Sequence, residues 1–190
     1  MEFFIQALGI IAMLSAVISF QQKTQKMILI FQLSSNLLFI VHFLLLGGYT
    51  GGLSHGVAVA RASIFALASK YKWASHKAWV YIFIALFVVM PFLTLFCFSN
   101  TILTFPIVLR EFLPAIGSTF ATLAFACKKA NQVRSLYLLA APLWCIYSAL
   151  TLSIGGAVSE LLNIISIVVG KIRLDRKIKA EKILDGNSQE

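Results

Sequence analysis

The chain has 190 residues, of which 59% are hydrophobic and only 12% charged, with a mean hydropathy of +0.89 and a formal net charge of +9. That balance excludes a water-soluble domain, and because its Lys and Arg gather at the ends of apolar runs, the positive charge is read as meeting anionic lipid, not nucleic acid. Three isolated cysteines, three histidines without zincin spacing, and the lack of a Gly-rich phosphate loop or nucleophile elbow leave no disulfide framework, metal site, cofactor or enzymatic motif to argue from.

A helix needs about 20 mostly apolar residues to cross roughly 30 Å of hydrocarbon. Seven runs qualify or nearly qualify: 3–20, 27–46, 51–69, 78–98, 106–127, 134–152 and 154–171. The first opens with Met1, Glu2, Phe3 and Phe4, without a basic flank or small-residue cleavage site, so it is expected to persist as a helix. In the second, Gln32, Ser34, Ser35 and Asn36 cluster. Gln32 and Asn36 share a helical face and are expected to look inward, with His42 further along. Gly48, Gly52, Gly56 and Ala60 recur at helical spacing along the third run and read as a close-packing face. The same run carries His55 and, at its middle, Arg61.

The fourth run is uncharged. In the fifth, Arg110 and Glu111 are neighbours, so a helix is expected to point them apart, with Glu111 inward; Pro114 follows as a candidate hinge. The sixth contains Pro142, a second candidate hinge, and Trp144 in mid-span, which fits either a cavity wall or core; the seventh contains Glu160 and Asn163. Trp73, Trp79, Tyr49, Tyr71 and Tyr81 fall at run ends, as an interfacial aromatic belt requires. Residues 171–184 read as a basic amphipathic extension along the inner headgroups, and the last six as a disordered end.

Cations occupy alternate gaps: Lys23 and Lys26; Lys70, Lys72 and Lys77; Lys128, Lys129 and Arg134; then Lys171, Arg173, Arg176, Lys177, Lys179 and Lys182 in the tail. The turns at 47–50, 99–105 and 153 have none. The positive-inside rule therefore puts the basic gaps and the C-terminus in the cytoplasm and the N-terminus outside. Only Arg61 and Arg110 are left within spans.

Sliding the chain against itself by 105 residues brings Phe20 onto Phe125, Lys23 onto Lys128, His42 onto Tyr147, Gly51 onto Gly156 and His55 onto Glu160, without a gap. The fold expected is all-α and integral to the membrane, with seven transmembrane helices as two parallel three-helix repeats joined by a linker helix. The divisions are 1–73, 74–104 for the linker, 105–171, and a basic tail at 172–190.

The stretch ISFQQKTQKMILIFQLSSNLLFIVHF at 18–43, followed by LLLGGYTGG, resembles the YgjV family of bacterial inner-membrane proteins over most of the chain. More distantly, the 3+1+3 layout and the Phe20-Gln21 pair before a basic loop resemble the SWEET and PQ-loop transporters, which implies movement of a small solute between the halves. Those transporters carry a helix-breaking proline in spans one, two, five and six; here Gly9 and Leu37 stand at the first two positions.

A charge at the centre of a spanning helix costs about 2.5 to 3.5 kcal/mol on the insertion scale, so Arg61, roughly 15 Å from the external end, needs a partner or a watery cavity. The candidate pathway residues are Asn36, His42, His55, Arg61, Trp144, Glu160 and Asn163. His42, His55 and Glu160 form an outer vestibule leading to Arg61, Asn36 and Asn163, and His55 or Glu160 is a candidate proton acceptor. The expected partners are membrane lipids, an unidentified small polar solute, and a second copy in a possible homo-oligomer. A structural or signalling membrane protein, with the same polar groups as interhelical glue, is the alternative.

Overall fold

The structure is a computed structural model that describes residues 2–97 and 104–187. It is all-helical: α1 (Glu2–Phe20), α2 (Gln25–Leu45), α3 (Tyr49–Leu67), α4 (Ala78–Cys97), α5 (Phe105–Ala126), α6 (Ala130–Leu150) and α7 (Ile154–Asn187). Five of these are long and apolar enough to cross a membrane: α2, α4, α5, α6 and the Ile154–Arg173 part of α7. In α1 the described apolar stretch Phe4–Phe20 is shorter, and α3 is diluted by its glycines, His55 and Arg61.

Local chemistry accounts for the ends. Thr24 in extended conformation caps α2, its hydroxyl accepting the Met27 N–H at 3.3 Å, and Pro106 enters α5 in its first turn, where a missing N–H costs nothing. Two tight turns close the end of the bundle opposite the basic connections. One follows α2, where Gly47 takes φ +73°; the other follows α6, where Leu152 takes φ 55° although it has a Cβ.

Each middle helix packs against both its chain neighbours, α2 between α1 and α3, and α6 between α5 and α7. Contacts of α3 with α5 and of α1 with α7 close these six helices into a ring, while α4 lies outside it against α3 and α5. The outward side chains are apolar, Ile10, Leu14 and Ile18 on α1 and Leu139 and Ile146 on α6 among them. Inside, one apolar cluster toward the basic end holds Phe20, Ile28, Leu29, Phe125, Val133 and Tyr137. A second, toward the other end, holds Ala12, Phe39, Phe43, Leu113, Trp144 and Tyr147.

The structure corrects several expectations. Arg134 is not a loop cation: α6 begins at Ala130, and the side chain is fully buried inside the bundle. The small-residue face of α3 is tight only at its start. Gly48 and Gly52 meet Phe43 and Leu44, whereas a Cβ on Gly56 would meet nothing within 4 Å and Ala60 is exposed. Gly51, off that face, is tight as well: its added Cβ would lie 3.0 Å from both Phe43 and Tyr147. Arg110 and Glu111 do meet, Nη2 to Oε1 at 2.6 Å, because the long arginine stem folds back over its neighbour. Finally, α7 runs without a break to Asn187, so 185–187 are helical and not a loose end. Most of the 99–105 turn and residues 188–190 lie outside the described residues, as do the tail side chains beyond Arg173.

Candidate functional site

Between the two apolar clusters lies a polar layer around a small internal cavity of about 20 Å³, room for about one water molecule. Its walls come from both sides of the ring. Asn36 on α2, His55 and Arg61 on α3, Trp144 on α6, and Glu160 and Asn163 on α7 all face it, joined by Tyr137, Gln32 and Ser118. Six of the seven residues singled out from the sequence thus meet in one place. His55 and Glu160 line the same space as Arg61, Asn36 and Asn163.

The seventh, His42, does not line the cavity. Its Nδ1 contacts the Ile5 carbonyl oxygen at 2.9 Å and its Nε2 the Ser153 hydroxyl at 3.1 Å, tying α2 to α1 and to the turn before α7. The imidazole fits there because position 9 is glycine: a Cβ on Gly9 would stand 2.8 Å from His42 Cε1. His42 is interhelical glue in this structure.

Arg61 is 3% exposed. Its Nη1 donates to the Ser118 carbonyl at 3.2 Å and the Thr122 hydroxyl at 2.9 Å, and its guanidinium sits over the rings of Phe87 and Phe125 at 5.1 and 5.0 Å. These are neutral partners, and Nε has none. Among the described residues the one ion pair is Arg110 with Glu111, so Arg61 and Glu160 face the same cavity without pairing.

His55, part-buried, is held by aromatic rings: it stacks on Phe39 and Phe43 at 5.1 and 5.4 Å and lies 4.9 Å from Trp144. Its Nδ1 meets Asn36 Oδ1 at 2.7 Å, leaving Asn36 Nδ2 without an acceptor. On the opposite wall Asn163 Nδ2 donates weakly to Glu160 Oε2 at 3.4 Å, leaving Asn163 Oδ1 without a donor. Gln32 is buried and satisfied, donating to Ser19 Oγ at 2.8 Å. The candidate hinges Pro114 and Pro142 both lie inside continuous helices. A glycine permits the Trp144 wall, since a Cβ on Gly117 would lie 2.9 Å from its ring.

Sequence reasoning missed two residues. Tyr137 looks like any aromatic in an apolar run, and only the ring of helices turns it to the cavity. Arg134 looks like a loop cation, yet it donates to the Phe20 carbonyl at 2.9 Å and the Gln22 carbonyl at 2.5 Å, clamping α6 onto the end of α1. Arg173 adds a bond to the Gln21 carbonyl at 3.0 Å.

A family model described as bacterial inner membrane protein, Imp-YgjV, matches residues 3–178. The chain belongs to that family. It is therefore a bacterial inner membrane protein with several apolar helices, and the polar layer just described is buried within its bundle. No curated protein and no solved structure matches it.

Proposed function

We propose that this protein passes a small polar solute through the cavity between two three-helix units, α1–α3 and α5–α7, with α4 as the linker. The observation that carries the reading is the polar layer itself. A guanidinium without an ion-pair partner and a carboxylate face a shared cavity inside the bundle, and intramembrane ionisable groups of this kind mark solute or ion pathways. Apolar clusters above and below the layer suit gates, and a cavity with room for one water suits an occluded state.

Matched contacts at the 105-residue offset support the two-unit arrangement. Gly48 N donates to Phe43 O at 2.8 Å, and Ser153 N to Ser148 O at 2.8 Å; the positive φ at Gly47 recurs at Leu152. Arg61 on α3 bonds Thr122 on α5, and the offset positions Ser166 on α7 and Val17 on α1 are bonded as well, at 2.9 Å. Parallel units related by an axis along the membrane normal place their solute site where they meet. The N-terminus outside and the C-terminus in the cytoplasm remain the orientation favoured by Lys23, Lys26, Lys70, Lys72, Lys77, Lys128 and Lys129, even with Arg134 removed from the basic gaps.

The test is counterflow of labelled sugars, amino acids and nucleotides into proteoliposomes of the purified protein. A transported solute is expected within the panel, with flux abolished in Arg61→Ala and Glu160→Gln while both still fold. A second reading, polar residues as interhelical glue without transport, draws on His42, Gln32 and Ser35, each satisfied by a neighbouring helix. Loss of folding in both variants, with no flux in the parent, favours that reading.

A further inference from the structure

Three buried side-chain atoms without partners belong to cavity-lining residues, and they are sorted by sign. Arg61 Nε on α3 and Asn36 Nδ2 on α2 are donors lacking acceptors; Asn163 Oδ1 on α7 is an acceptor lacking a donor. The residues carrying them are 3%, 5% and 1% exposed. The charges follow the same division, with the Arg61 guanidinium on the donor wall and the Glu160 carboxylate on the acceptor wall, one helical turn from Asn163.

A buried donor or acceptor left unpaired is costly, and a buried group keeps its charge only beside an opposite one. A single water can bond to these atoms but neutralises neither charge. A polyol satisfies the hydrogen bonds and leaves both charges bare; a simple anion or a simple cation answers one wall only. From this division we infer that the solute is a small zwitterion, a carboxylate joined to an ammonium, with its carboxylate toward Arg61 and Asn36 and its ammonium toward Glu160 and Asn163. This inference rests on the pathway reading above and specifies its solute. The walls must part to admit such a molecule, because the cavity now holds about one water.

The experiment is thermal unfolding of the purified full chain with L-alanine and γ-aminobutyrate as zwitterions, L-lactate as an anion, ethanolamine as a cation and glycerol as a neutral polyol. A ligand that binds only the native state raises the midpoint saturably. The expected result is a rise with one or both zwitterions and with none of the other three. Arg61→Gln is expected to abolish it, and Arg61→Lys to keep part of it. Glu160→Gln is expected to weaken zwitterion binding about tenfold or more and to admit L-lactate, because the group answering the ammonium is gone. That change of preference is a readout a purely structural role would not produce, and it stands alone if the Arg61 variants fail to fold. Absence of any response of the unaltered protein to both zwitterions overturns the inference. If glycerol, lactate or ethanolamine responds in their place, the pathway reading survives; silence across the panel together with no flux in proteoliposomes removes both.

Discussion

Replacing Arg134 by methionine keeps the length of the apolar stem and removes the guanidinium. Two hydrogen bonds are lost, to Phe20 O at 2.9 Å and Gln22 O at 2.5 Å; the first acceptor is the last carbonyl of α1, which has no partner in its own helix, and the second lies two residues beyond it. A hydrogen bond to a charged group is worth about 1.5–3 kcal/mol, so the pair contributes about 3–6 kcal/mol before the cost of burying the cation is subtracted. That cost is real here, since Nη1 has no partner. A net loss of about 3 kcal/mol is the expectation. At about 2–4 °C per kcal/mol for a chain of this size, the midpoint falls by about 6–12 °C. The assay is intrinsic fluorescence unfolding in detergent, using Trp73, Trp79 and Trp144 as reporters. Arg134→Lys, with the charge but without the fork, should fall between methionine and the parent. If the methionine variant unfolds within about 2 °C of the parent, the shift expected of an ordinary interhelical polar contact worth about 0.6 kcal/mol, the clamp does not hold α6 to α1.

Gly9→Ala drives a methyl to within 2.8 Å of His42 Cε1 and should lower the unfolding midpoint, by several degrees if α1 is forced away from α2. Gly56→Ala meets open space inside a helix and should raise stability by up to about 1 kcal/mol; a loss in the same assay would contradict the packing described for α3. Leu152→Gly relieves a left-handed backbone that costs a residue with a Cβ about 1–2 kcal/mol, so a net gain of about 0.5–1 kcal/mol remains after glycine's own entropy cost. A lower midpoint for this variant would show that the leucine side chain, not the backbone, matters at that turn. For orientation, alkaline phosphatase fused to the N-terminus and a green fluorescent protein at the C-terminus should both be active, and ends found on one face of the membrane would refute the arrangement proposed from the lysines.

Hydropathy alone determined much of this protein. Seven apolar runs became seven helices, the first six with ends displaced by a few residues and the seventh carried on to Asn187, because the cost of an unbonded backbone in hydrocarbon leaves a spanning segment little choice but a helix. Rare polar residues could be picked out for the same reason, and Asn36, His55, Arg61, Trp144, Glu160 and Asn163 converge on one cavity. What the sequence could not decide was which polar group is satisfied by which neighbour. His42 and Glu160 look alike in an apolar run, yet the notch at Gly9 and the Ser153 hydroxyl use up both nitrogens of His42, while Glu160 retains one weak partner. Arg134 reads as a loop cation until α6 starts a turn earlier than its apolar run and swings the side chain under α1. Periodicity and hydropathy are local sums along the chain, whereas the pairing of a buried donor depends on atoms brought from helices more than a hundred residues away, and only the closed ring of helices supplies them.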